Sequence, residues 1–116
     1  MRFVIHEHQK QDDPVHWDLM LEYGETLKTF RLNCAPHDVA NMPCRAAPIF
    51  DHDTRFLTYE GPVQEGLGQV RRVDTGTYQS ISMTQHTWTV SLKGEVLAAC
   101  VRLPLVQENA LIIVNI

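Results

Sequence analysis

The chain predicts an all-β fold: a single small domain of about six to eight short strands, closed or strongly bent into a β-barrel, with one long proline-containing loop. Three observations predict it. Residues Val15 to Glu22 alternate apolar and polar with the one exception of Met20, the period of a half-buried strand. Glycine sits in two tight turns, Tyr23-Gly24-Glu25 and Lys93-Gly94-Glu95, each between runs that read as strands. Nowhere does an apolar pattern at i, i+3, i+4, i+7 persist, which leaves no amphipathic helix to build on.

In chain order, Phe3-Val4-Ile5 opens as an apolar strand and passes into His6-Glu7-His8. The alternating segment follows, then Leu27 to Leu32 after the Gly24 turn. Asn33 to Pro48 holds Pro36, Pro43 and Pro48 and reads as a long connection with one helical turn around His37-Asp38-Val39-Ala40. Loops of this length are often functional. Gly61-Pro62, Gly66 and Gly68 break the chain again, and Asp74-Thr75-Gly76 is expected to end the strand that carries Arg71 and Arg72. Thr87 to Leu92 and Val96 to Val101 form the last hairpin. The apolar tail Ala110 to Ile116 must pair or be covered, because an exposed apolar strand aggregates. Closure into a barrel removes such edges.

A chain of 116 residues suits one domain able to bury roughly two-thirds of its unfolded surface. Hydrophobic residues at 44% and charged residues at 21% are ordinary globular values and argue against disorder. No apolar run is long enough to span a membrane and no basic-then-apolar leader is visible, so the expected address is the cytoplasm, away from membranes. Cys34, Cys44 and Cys100 are odd in number and lack a Cys-x-x-Cys pair, so buried free thiols are expected. The net charge of −4 excludes a long nucleic-acid footprint, since such affinity comes from neutralising phosphates. A cleft with a few arginines remains possible, and Arg45, Arg55, Arg71 and Arg72 are the candidates.

Strand parity gives the second strand a chemical face. Val15, Trp17, Leu19 and Leu21 share one side; His16, Asp18, Met20 and Glu22 share the other. His16 and Asp18 stand about 7 Å apart on a strand rising ~3.3 Å per residue, a gap their side chains can close onto one cation. His6 or His8 can supply a third ligand. Two imidazoles and one carboxylate suit a divalent cation such as Mn²⁺ or Fe²⁺. His37 and His86 have no acidic or histidine partner at strand spacing and read as structural or merely exposed. His52 lies between Asp51 and Asp53, which would raise its pKa and favour the imidazolium.

Four blocks resemble, in order, the 3′-phosphoesterase domain that accompanies bacterial DNA ligase D and also occurs as a free-standing small protein. They are Phe3-Val4-Ile5-His6-Glu7-His8 with His16-Trp17-Asp18-Leu19-Met20-Leu21-Glu22; Asp51-His52 with Tyr59-Glu60-Gly61; Asp74-Thr75-Gly76-Thr77-Tyr78; and Leu92-Lys93-Gly94-Glu95-Val96-Leu97 through Val101-Arg102-Leu103. The resemblance implies a compact β-barrel that uses Mn²⁺, or another divalent cation, to remove a 3′-phosphate or 3′-ribonucleotide from nucleic-acid ends during DNA repair. Its partners would be those ends and a DNA ligase or polymerase. By position, His8, His16 and Asp18 would hold the metal, His52 would contact the scissile phosphate, and Glu22 would face the same site. The family's arginine two residues after the metal-binding aspartate is Met20 here, and its tyrosine four residues after the phosphate-contacting histidine is Phe56. Arg55, three residues past His52, is the first candidate to replace the arginine as a catalytic group; Arg45 is the next, the family carrying a basic residue close to that point.

Two other classes fit parts of this pattern. One is a non-catalytic descendant that keeps the barrel and binds a nucleotide, a strand end or a protein partner. The other is a cupin-like oxygenase with Fe²⁺ between His16, Asp18 and a distant histidine such as His86. The second leaves Asp51-His52, Glu60-Gly61 and Asp-x-Gly-Thr-Tyr unexplained.

Overall fold

Alternating apolar residues and glycine turns leave short strands that can bury one face only by curling, and the chain does so. The computed structural model describes residues 1–63, 66, 68–106, 110–111 and 113–115. Its strands are β1 (Arg2–Gln9), β2 (His16–Tyr23), β3 (Thr26–Leu32), β4 (Arg45–His52), β5 (Gly61–Pro62), β6 (Gln69–Met83), β7 (Thr87–Gly94), β8 (Ala98–Pro104), β9 (Ala110–Leu111) and β10 (Ile113–Asn115). They form one sheet in the order β10-β8-β7-β6-β1-β2-β3-β4-β9, with β5 paired to β6, and every pairing among the described residues is antiparallel. The sheet bends into a small barrel. Its outer long strands β4 and β8 come into contact, and the tail bonds to both: β9 to β4 and β10 to β8. The tail thus pairs with part of each edge, as an apolar C-terminal segment requires; Ile112 and Ile116 lie outside the described residues.

The interior holds Phe3, Ile5, Leu19, Leu21, Phe30, Leu32, Trp88, Val90, Leu92, Val101 and Leu103, packed around Trp88. A second, smaller apolar cluster lies on the opposite face of β1 to β3. It consists of Val4, Met20 and Leu27, roofed by Leu57 and Phe56 from the 3₁₀ turn Thr54–Leu57. Asp53 caps that turn by accepting from the Arg55 N–H at 2.9 Å. The expected helical turn in the long connection is a 3₁₀ turn at Pro36–Asp38. Among the described residues no helix is long and apolar enough to cross a membrane.

Two expectations are corrected. Asp74-Thr75-Gly76 does not end a strand; β6 runs through it to Met83. The buried Asp74 carboxylate accepts from the Val96 and Leu97 N–H groups at 3.0 and 2.9 Å, latching the β7–β8 turn. Gly76 lets β7 approach, since a Cβ there would collide with the Lys93 carbonyl. The Tyr78 hydroxyl then donates to the Glu22 carbonyl, tying β6 to β2. The motif is a fastening. The second correction concerns the thiols: Cys34 and Cys44 form a disulfide, with Cα atoms 5.8 Å apart, and Cys100 alone is free. Pairing of β3 with β4 brings the ends of the proline-rich connection together, with Asn33 N–H donating to the Arg45 carbonyl and the Arg45 N–H to Asn33 Oδ1. That closure, invisible in the spacing, sets the two cysteines opposite each other.

Candidate metal centre

Antiparallel register decides which side chains meet. β1 and β2 pair with His8 opposite His16, His6 opposite Asp18 and Val4 opposite Met20, so three rungs line the face away from the main core. Directly opposed residues have Cβ atoms ~4.5–5.5 Å apart, close enough for their side chains to share a ligand.

The upper rungs gather the donors. His8 Nδ1 lies 3.0 Å from His16 Nε2, His16 Nε2 lies 3.6 Å from Asp18 Oδ2, and one ligand atom from each residue falls within 4.8 Å of the others. Donors ~2.1 Å from a cation and at right angles stand about 3 Å apart, so the 3.0 and 3.6 Å separations suit adjacent corners of one coordination sphere. The donor set of two imidazoles and a carboxylate fits a divalent cation with open positions. Of the two candidates for third ligand, His8 joins this cluster and His6 does not. His6 is fully buried one rung away, edge-on to Phe56, with neither ring nitrogen in a hydrogen bond of ordinary geometry.

The charges around these rungs are organised by Asp18. Burial alone would raise its carboxyl, but the His16 hydrogen bond and the Arg31 guanidinium outweigh burial and hold it below the usual carboxylate value. Arg31 Nε stands 3.4 Å from Asp18 Oδ1, and Arg31 is the cross-strand partner of Asp18 on β3. Sequence reading missed this arginine. Burial lowers His6 against the pull of Asp18 and the Phe56 backbone.

His52, at the end of β4, turns toward the same face. Its Nδ1–H donates to the Phe50 carbonyl at 3.1 Å, since a carbonyl only accepts, and its ring lies between stacked Phe50 and edge-on Phe56. Its pKa is lowered, not raised: burial outweighs Asp18 and the Phe50 backbone, with Arg31 also lowering it and Asp51 only weakly opposing. The neutral tautomer with Nδ1–H leaves Nε2 as a proton acceptor.

The DNA ligase D 3′-phosphoesterase domain matches this chain over residues 6–103 of its 116. The chain belongs to that family. No curated protein matches it. The match spans β1 to β8, and so includes the three clustered donors, His52 and the Asp74 fastening.

Against this family frame, the remaining candidate residues divide. Glu22 is four residues beyond Asp18 and is held by Arg2, whose N–H and guanidinium meet its carboxylate at 2.6 to 3.2 Å; it is not brought to the cluster. Arg71 pairs with Glu7 at 3.1 Å, on the side of the strand opposite His6 and His8, and so points away. Arg72 is the register partner of His6, and Glu60 holds it through its backbone N–H at 2.9 Å and its guanidinium at 3.9 Å. Arg55 lays its guanidinium over the Phe56 ring at 4.8 Å, beside His52. Arg45 is exposed at the start of β4. Met20 and Phe56, standing where the family has arginine and tyrosine, both belong to the second apolar cluster.

Proposed function

We propose that this domain heals nucleic-acid 3′ ends, removing a 3′-phosphate or a terminal 3′-ribonucleotide with a divalent cation, Mn²⁺ in first place, held by His8, His16 and Asp18. The observation that carries this reading is the convergence of those three donors, on adjacent rungs of one sheet face, at the separations of neighbouring metal ligands. Bound there, the cation supplies Lewis acidity toward a phosphate oxygen and a bound water of lowered pKa.

The chain's own residues do the rest. Asp18, held ionised by His16 and Arg31, keeps a negative charge ready for the cation. Arg31 brings a guanidinium beside that carboxylate and is the group we assign to the phosphate in place of the arginine that Met20 displaces. A fixed guanidinium matches phosphate geometry in a way that an ammonium does not. His52, neutral and with Nε2 as an acceptor, takes up the proton of the water that attacks the phosphoryl group, while Arg55 adds positive charge next to it. The product, a 3′-hydroxyl, is what a ligase or polymerase consumes, which makes repair of nucleic-acid ends the setting.

The test is release of phosphate from a primer-template bearing a 3′-phosphate, in Mn²⁺ and in chelator. Turnover should require the cation and be lost in His16→Ala. Product in chelator, or a rate unchanged by His16→Ala, would overturn the reading.

A further inference from the structure

Phe50 is the most exposed large apolar side chain among the described residues, 75% accessible, and it sits on the strand end that delivers His52. A phenyl ring left in water costs the hydrophobic free energy that burial would recover, so such a position calls for an explanation. One of its faces is already used: it lies flat on the His52 imidazole, with centroids 4.8 Å apart and planes 13° from parallel. The other face is open. The stack is also braced. The His52 ring is fixed by its bond to the Phe50 carbonyl and by edge-on Phe56, which is itself edge-on to Tyr59. A flat, braced aromatic surface beside a phosphate-directed histidine and the guanidinium of Arg55 has the chemistry of a nucleobase platform.

We infer that the open face of Phe50 stacks on the base of the 3′-terminal nucleotide, so that the site takes ends whose last base is unpaired or frayed. This rests on the end-healing reading and adds the substrate class to it. Every base has a π-face, so the platform accepts all four bases and selects for the presence of a base rather than its identity. A base paired and stacked inside a duplex cannot reach it.

The experiment measures binding by fluorescence anisotropy, with and without Mn²⁺, of single-stranded oligonucleotides ending in a 3′-phosphorylated nucleotide or in the same nucleotide without its base. Wild type should bind the intact end about 5- to 150-fold more tightly than the abasic one, the range of stacking on one aromatic side chain. Phe50→Ala should lose that discrimination by weakening on the intact end alone. Phe50→Trp should keep it, with tryptophan fluorescence quenched by the intact end and not by the abasic one. Equal binding of both ends by wild type would overturn the inference, as would an equal weakening of both by Phe50→Ala, or self-association through Phe50 with no effect on oligonucleotides. Phosphate release is read separately. Base-dependent binding without release by the wild type leaves the platform standing and defeats the end-healing chemistry; release without base dependence does the reverse.

Discussion

Metal binding at the β1–β2 rungs should appear as stability before any substrate is added. A ligand that binds only the folded chain stabilises it by RT ln(1 + [L]/Kd), about 2.7 kcal/mol at a hundredfold excess over Kd. Unfolding entropy of about 2.1 cal/mol/K per residue gives a chain of 116 residues roughly 0.24 kcal/mol/K, so each kcal/mol moves Tm by about 4 °C. Saturating Mn²⁺ should therefore raise Tm by about 11 °C. His8→Gln, His16→Gln and Asp18→Asn each remove one of three donors that lie within 4.8 Å of one another, and each should abolish most of the rise. Glu22→Gln is the informative contrast: Glu22 shares strand parity with Asp18 but is bound to Arg2, so the rise should survive. The assay is thermal unfolding followed by circular dichroism across a Mn²⁺ series. No rise in wild type, or an undiminished one in Asp18→Asn, would refute the reasoning.

Other consequences follow from individual placements. Arg31→Ala should lower the slope of log affinity against log salt by about 0.7 on single-stranded 3′ ends, one phosphate contact, whereas Arg71→Ala, paired with Glu7 on the other face, should leave it unchanged. Because burial depresses the His52 pKa, the unfolded chain takes up the proton first as pH falls; the stability from neutral His52 is full above the unfolded value near 6.5 and lost below it. Denaturant unfolding between pH 7.5 and 5 should show a shallower acid loss in His52→Gln than in wild type, the repulsion of Arg31 adding to burial and the attraction of Asp18 and Asp51 only partly offsetting it. Cys44→Ser should cost about 2–3 kcal/mol, the loop-closure entropy of a disulfide ten residues apart, and reducing agent should destabilise wild type but not the variant.

What could be read in advance was whatever depends on strand parity. The alternation from Val15 to Glu22 places His16 and Asp18 on one face, and the β1–β2 pairing then selects His8. Arg31 was equally legible. The turn at Gly24 pairs Tyr23 with Thr26, and five residues back from one and five forward from the other sets Asp18 against Arg31. Long-range pairing carried no such signal. A register shift between Ile5 and His6 decides that Arg72 and not Arg71 shares the site face, and one between Leu27 and Thr29 swings His52 into it. Charge neighbours in sequence also misled. Asp51 and Asp53 flank His52, but Asp53 spends its carboxylate on the cap of the 3₁₀ turn, and that turn's Phe56 contributes to the burial that sets the histidine's pKa.

The exchange of arginine for methionine at position 20 is a packing decision with a chemical consequence. Met20 is 2% exposed, on the rung opposite Val4, with Leu27 beside it and Leu57 and Phe56 above. The apolar roof that accommodates Met20 uses Phe56 as part of its structure, so the two departures from the family pattern belong to one cluster. A guanidinium at position 20 would enter that cluster, whose members Val4, Leu27, Leu57 and Phe56 include no carboxylate, and a buried uncompensated charge costs about 3–5 kcal/mol. Arg31 lies one strand over and one rung away, exposed enough to stay solvated and already at 3.4 Å from Asp18. Met20→Arg should therefore destabilise the domain by about that amount in denaturant unfolding and leave phosphate release no faster than wild type, while Arg31→Ala should slow release by about 10²–10³, the cost of one lost contact to developing charge. A Met20→Arg protein as stable as wild type and faster would mean that position 20 still reaches the phosphate and that Arg31 does not stand in for it.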